Sequence, residues 1–135
     1  LAFDQPGTWS QKYNLVWDKL LGLKLFPESV ARDEVAFYRQ KLEKYGLPLD
    51  SRRTYTKLDW TVWSACLTGD DGDFAALTAP LCQWLAETPT RVPMTDWFET
   101  TDGKQSGFQA RSVVGGLFIK LLYDEGARQE LGAKG

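Results

Sequence analysis

The chain has 135 residues, 43% apolar and 25% charged, with a net charge of −2. That is room for one domain with a real core and not for two, and without a Lys/Arg block nothing recommends nucleic acid or an anionic membrane as a partner. No apolar run reaches membrane-spanning length, and the absence of His removes any His-based triad or His-ligated metal within these residues.

The sequence opens LAFDQPGTW, with no Met and no signal-peptide pattern, the look of the interior of a longer polypeptide. The first predicted helix sets Tyr13, Val16, Trp17, Leu20 and Leu21 on one face, with Ser10 as N-cap and Gly22 as stop. Ser29 caps the second, whose apolar row is Ala31, Val35, Tyr38, Leu42 and Tyr45 and which ends at Gly46-Leu47-Pro48. The third, about Leu58 to Leu67, is apolar nearly all round (Trp60, Val62, Trp63, Ala65, Leu67), so it should be buried on most sides.

TGDDGD at 68–73 reads as a turn. Phe74, Leu77, Leu81, Trp84 and Leu85 then share a face, with Pro80 placed to kink the segment or split it into two short pieces. Residues 88–109 lack a helical period, and Asp102-Gly103 predicts a small surface β-hairpin within 97–108. A fifth helix starts near Ala110 with Val114, Leu117, Phe118, Leu121 and Leu122 inward. Two glycines inside a helix cost about 1 kcal/mol each relative to Ala, so something should pack closely against Gly115-Gly116. The polar tail after Tyr123 is expected to fray. The fold class is all-α, built of antiparallel helical hairpins. Cys66 and Cys82 show no C-x-x-C spacing, and two free thiols and a helix-to-helix disulfide both fit.

Six Trp and seven Phe favour large buried surfaces or a lined cleft, and two Asp-Trp pairs stand out: Asp59-Trp60 and Asp96-Trp97. If alternate helices are antiparallel, the first, third and fifth run the same way, and both pairs gather at one end beside helix N-termini that favour anions. Lys12, Arg52, Arg53, Lys57 and Arg111 add cations there; Asp50, Asp59 and Asp96 add carboxylates. Such a rim can hold a zwitterion and set a general base beside an amide or glycosidic bond. Asp96, then Asp59, are the catalytic candidates; Arg111, Lys57 and Arg52 are candidates for binding substrate charge; Trp60, Trp97 and Tyr55 are candidate walls. Plainer readings stand beside these. Asp59 can be a cap or first-turn acid, Asp96 a turn cap, Arg111 an ion-pair partner, Lys12 and Lys57 surface cations, and the aromatics core.

The stretches KYNLVWDKLLGLKLFP, YGLPLDSRRTYTKLDWTVWSACL and RVPMTDWFETTDGKQSGFQARSVVGGLFIKLL, spanning roughly Thr8 to Tyr123, resemble the C-terminal part of the glutaminase A family. The resemblance implies a secreted or cell-surface protein with an (α/α)6 toroid of six-hairpin glycosidase-like kind, preceded by a β-rich domain. Its implied activity is hydrolysis of L-glutamine to L-glutamate and ammonia, with L-glutamine as the small-molecule partner; the sequence itself implies no metal or other cofactor. The helical segments here are too few for a whole ring, so residues 1–135 read as a single partial domain of a larger polypeptide. Other parts of that polypeptide, or other chains, would complete it, and the isolated piece is expected to be inactive. Two other functions are carried: a carbohydrate-active, glycoside hydrolase-like toroid, and a non-catalytic packing piece of a larger enzyme.

Overall fold

The computed structural model describes residues 2–124 together with Gly126, Gln129 and Gly132; the predicted fraying of the tail falls largely outside them. Helix α1 spans Leu15–Leu20 and α2 spans Glu28–Arg39. The stop at Gly22 is as expected, with φ of 62° where a side chain would be strained. The expected caps differ. Ser10 pairs with Asp50 instead, and the Gln11 N–H donates to the Leu49 carbonyl at 2.9 Å, so the chain before α1 lies extended along 48–51. Pro27 stands at the start of α2, putting Ser29 inside the helix. Leu42 and Tyr45 lie beyond the end of α2 but still pack on the core.

Strand β1, Tyr55–Lys57, runs directly into α3, Leu58–Ala65. As its composition predicts, α3 is buried on most sides: it packs against α1, α4 and the final helix. Helix α4, Asp71–Glu87, is one continuous helix rather than two pieces, although Pro80 lies within it. Asp70 caps its start, accepting from the Asp73 N–H at 2.9 Å. Leu77 lies buried before the proline, and Leu81 and Trp84 after it, so both halves are anchored on one core. Trp84 stacks on Phe98 at 3.9 Å and donates its indole N–H to the Gly103 carbonyl at 2.9 Å, locking α4 to the turn.

The predicted hairpin is only half the β structure. Strand β2, Trp97–Glu99, pairs antiparallel with β1, Tyr55 opposite Glu99 and Lys57 opposite Trp97. The segment after Asp102-Gly103 adds single bridges, Gln105 to Phe98 and Gln109 to Thr95. The fold is therefore helices plus a small two-stranded sheet.

The fifth predicted helix is a 3-10 helix, Ser112–Leu122, beginning after Ala110 turns at φ of 56°. Three residues per turn align i with i+3, so Gly116 and Ile119 face inward, and of the expected row Leu117 packs against the core while three members do not. Ile119 is buried, whereas Phe118 is 67% exposed and Leu121 and Leu122 are also exposed. Leu21, Leu25 and Phe26 likewise stand in solvent. The close packing expected at the glycine pair is present at Gly116 alone, since a Cβ at Gly115 would meet nothing within 4 Å. Cys66 is buried and Cys82 exposed, and both thiols are free. Among the described residues no helix is long and apolar enough to cross a membrane.

Candidate active site

The β1–α3 junction builds the site. Strand alternation buries Thr56 and leaves Tyr55 and Lys57 on the opposite side. The Leu58 N–H donates to the Asp96 carbonyl at 2.7 Å, fixing Asp96 at the start of α3. Lys57 Nζ meets Asp96 Oδ2 at 3.1 Å and lies 4.2 Å from the centre of the Trp97 ring. Beyond Asp102-Gly103 the chain doubles back: Ser106 N–H donates to Trp97 O and Ala110 N–H to Met94 O, each at 2.9 Å. Thr95 Oγ1 also donates to the Phe108 carbonyl. These bonds seat Phe108 5.9 Å from Trp97 and bring an Arg111 nitrogen to 3.7 Å from Asp96 Oδ2.

Asp96 is 2% exposed and Asp59 5%. Burial raises the Asp59 carboxyl pKa, and the charge of Asp96 raises it further; the N–H groups of Trp60 and Asp59 itself, and the Lys57 charge, act the other way. Oδ1 of Asp59, Oδ1 of Asp96 and Nε1 of Trp97 are all buried without a hydrogen-bond partner. A buried polar atom left so costs about 1–3 kcal/mol, so each of the three calls for a partner that the described residues do not supply. Tyr13 stacks face to face on Trp60 at 4.2 Å, and its phenol pKa is raised by burial and then by the Asp59 charge. Gly116 closes the far side, where a Cβ would lie 3.0 Å from Asp59 Cβ.

The structure thus gathers Lys57, Asp96, Arg111 and Trp97, with Tyr55 edge-on to Trp97 at 5.3 Å; Asp59 is linked to them through the charges of Asp96 and Lys57, and Trp60 is held by Tyr13. It does not gather Arg52, whose guanidinium pairs with Asp50 at 2.7 Å and covers Phe3 at 4.2 Å; its link to the cluster is electrostatic, through Tyr55. A partner two residues away captures Arg52 locally. Lys12 Nζ is likewise spent on Ser10. Tyr13, Phe108 and Gly116 were not singled out by the sequence as site residues; the approach of Phe108 to Trp97 follows from the back-folded strand, which has no local signature. Asp59 lies in the first turn of α3 but does not cap it, because Lys57 holds that position. Two shallow hollows, about 480 and 450 Å³, open on either side of Trp9, and neither includes Asp59 or Asp96. Among the described residues no group of three or more acidic, Cys or His side chains could hold a metal ion.

A family model for the glutaminase A six helical-hairpin domain matches residues 1–121. The chain belongs to that family. It is 38% identical to a glutaminase A of Aspergillus oryzae over 90% of its own length, and 32% identical to a probable glutaminase of Arthroderma benhamiae over 93%. An aminopeptidase E of Lactobacillus helveticus is 28% identical over 92% of the chain. The chain spans 18% of the length of each of the two glutaminases and 24% of the aminopeptidase. No solved structure matches it.

Proposed function

We propose that this glutaminase-family chain supplies part of the active site of a secreted amidohydrolase that converts L-glutamine to L-glutamate and ammonia. The observation that carries the reading is the pair of buried carboxylates with one unpartnered oxygen each, set beside two cations. Sequence order ranked Asp96 above Asp59 as the base; the geometry favours the reverse. Asp96 is occupied by Lys57 and Arg111, whereas among the described residues Asp59 has no ion pair, and burial raises its carboxyl pKa, the direction that makes a carboxylate a stronger base. Asp59 takes a proton from water as the water oxygen bonds to the amide carbon, and returns it to the nitrogen as the C–N bond breaks and ammonia leaves. Arg111, with a side chain 40% exposed and a long 3.7 Å ion pair, keeps donors for the substrate α-carboxylate. Lys57 holds Asp96 and Trp97 in place.

The remaining wall of the pocket, in this reading, comes from other hairpins of a toroid. The exposed Leu21, Leu25, Phe26 and Phe118 offer apolar surface for such neighbours. A glycan-cleaving role is less well supported, because one face of Trp60 is taken by Tyr13 and one of Trp97 by Lys57, leaving less free platform for a sugar ring. Ammonia release from L-glutamine by the full-length protein tests the proposal, with Asp59→Asn and Asp96→Asn each expected to lose about a hundredfold or more in turnover. Wild-type turnover in both variants would refute the assignment. Reducing-end release from a glycan panel without ammonia release would favour the carbohydrate reading, and inactivity on both substrates would favour a packing role.

A further inference from the structure

Arg52 and Arg111 each lie over a phenylalanine ring, and they differ in what their N–H groups do. Arg52 sits 4.2 Å from the centre of Phe3, and its donors are spent on Asp50, at 3.0 Å from Nε and 2.7 Å from an outer nitrogen. Arg111 sits 5.1 Å from the centre of Phe108, and the oxygen it pairs with, Asp96 Oδ2, is 3.7 Å away, beyond hydrogen-bond reach. Among the described residues the Arg111 guanidinium donates no hydrogen bond. Attraction between a cation and a ring face occupies no N–H, so Phe108 holds the head while its planar fork of donors stays open.

The backbone on both sides of Phe108 is fixed. Gly107, at φ of 124°, lies so close to Trp97 that a Cβ there would fall 2.4 Å from Trp97 Cε3. Thr95 Oγ1 donates to the Phe108 carbonyl, and the Ala110 N–H donates to Met94 O at 2.9 Å where φ of 56° turns the chain into Arg111. The ring is left 61% exposed, 5.9 Å from Trp97 and 6.0 Å from Lys57 Nζ. One exposed Phe is ordinary on a surface; a pinned ring facing two cations is not a core contact. We propose that Phe108 is a positioning residue, its ring holding the Arg111 guanidinium at the rim of the site with its donors unspent, so that they can take a substrate carboxylate as a fork. This rests on the amidohydrolase reading, in which Arg111 receives the α-carboxylate, and adds the residue that keeps it in place. Without the ring the half-exposed head is tethered only by a 3.7 Å ion pair, and each binding event has to order it first.

The test uses the full-length protein. Phe108→Leu keeps apolar bulk and removes the ring; KM for L-glutamine should rise about twofold to fivefold, the weight of one exposed cation–ring contact, with kcat changed less than about twofold. Phe108→Tyr keeps the ring and should return KM to near the wild-type value, whereas a packing role would tolerate Leu as well as Tyr. Unchanged KM in a folded Phe108→Leu overturns the proposal. A second readout needs neither turnover nor a folded variant. In the wild-type protein the Arg111 15Nε–1H resonance, assigned by its loss in Arg111→Met, should move on adding propionate, and its nuclear Overhauser contact with the Phe108 ring should persist at saturation. Indifference to propionate, or loss of that contact on binding, overturns the proposal. If the wild-type protein hydrolyses no glutamine, yet propionate binds with the contact kept and Phe108→Leu weakens it about twofold to fivefold, the positioning role stands and the hydrolytic reading falls.

Discussion

Replacing Gly116 by Ala probes the contact that fixes Asp59. The new Cβ would lie 3.0 Å from Asp59 Cβ and 3.0 Å from Trp63 Nε1. Neither neighbour yields easily: one is tied to the α3 backbone, and the other donates to the Gly116 carbonyl at 3.0 Å. Overpacking of this kind costs about 1–3 kcal/mol, and weakening the indole hydrogen bond adds up to about 1 kcal/mol. Ala returns up to about 1 kcal/mol through its better helical preference. The net expectation is destabilisation of about 1–3 kcal/mol. Gly115→Ala is the matched control, because nothing lies within 4 Å of its Cβ and its backbone is not left-handed. It should be neutral or stabilising by up to about 1 kcal/mol. Equilibrium denaturant unfolding of both variants against wild type measures the difference. Equal stabilities, or a greater loss at position 115, would refute the packing of the 3-10 helix on α3.

Lys57→Met should cost about 3–5 kcal/mol, since it strips the near cation from a buried carboxylate, whereas Arg111→Met, with its exposed head at 3.7 Å, should cost under about 1 kcal/mol by the same unfolding assay and appear instead as a raised KM. The pH dependence of stability should carry the mark of Asp59. Its pKa is raised on folding, so its contribution is full below the unfolded carboxylate pKa and is lost as pH rises through the folded value; wild type should therefore lose stability relative to Asp59→Asn as pH rises above the unfolded carboxylate pKa of about 3.9. At neutral pH a thiol reagent should label Cys82 readily and Cys66 only on unfolding, because Cys66 is buried with its thiol pushed up to about 11.

Lys57, Asp96, Trp97 and Arg111, which the sequence grouped as a candidate cluster, do meet, but by a route other than the expected one. Helix periodicity located α1 to α4 well enough to place Val16, Val35, Tyr38, Leu77 and Trp84 in the core. It could not reveal β1, three residues whose partner lies some forty positions on in the chain, because such pairing leaves no local mark. Yet it is β1 against β2, with the back-fold through Ala110, that joins Lys57, Asp96 and Arg111; aligned helix N-termini are not needed. The 3-10 helix was hidden for a related reason. Val114, Leu117, Phe118 and Leu121 fit an α-helical period, but docking of Gly116 beneath Trp63 selects a different face. Arg52 misled because charge alone does not distinguish a cation free to bind from one satisfied two residues away.

The cluster separates two kinds of buried acid. Asp96 holds the fold together: its carbonyl accepts from Leu58, and its carboxylate gathers Lys57 from β1 and Arg111 from the segment after β2. Loss of activity in an Asp96 variant can therefore arise from misplacement of three elements. Among the described residues Asp59 forms no ion pair and keeps one oxygen without a partner, and it sits where burial opposes its charge. On stability alone a neutral residue of the same shape would do better at that position. In the proposed reaction that cost is the condition of a working base, and Asp59→Asn is the substitution that separates the two effects: it should preserve or raise stability while lowering turnover about a hundredfold or more.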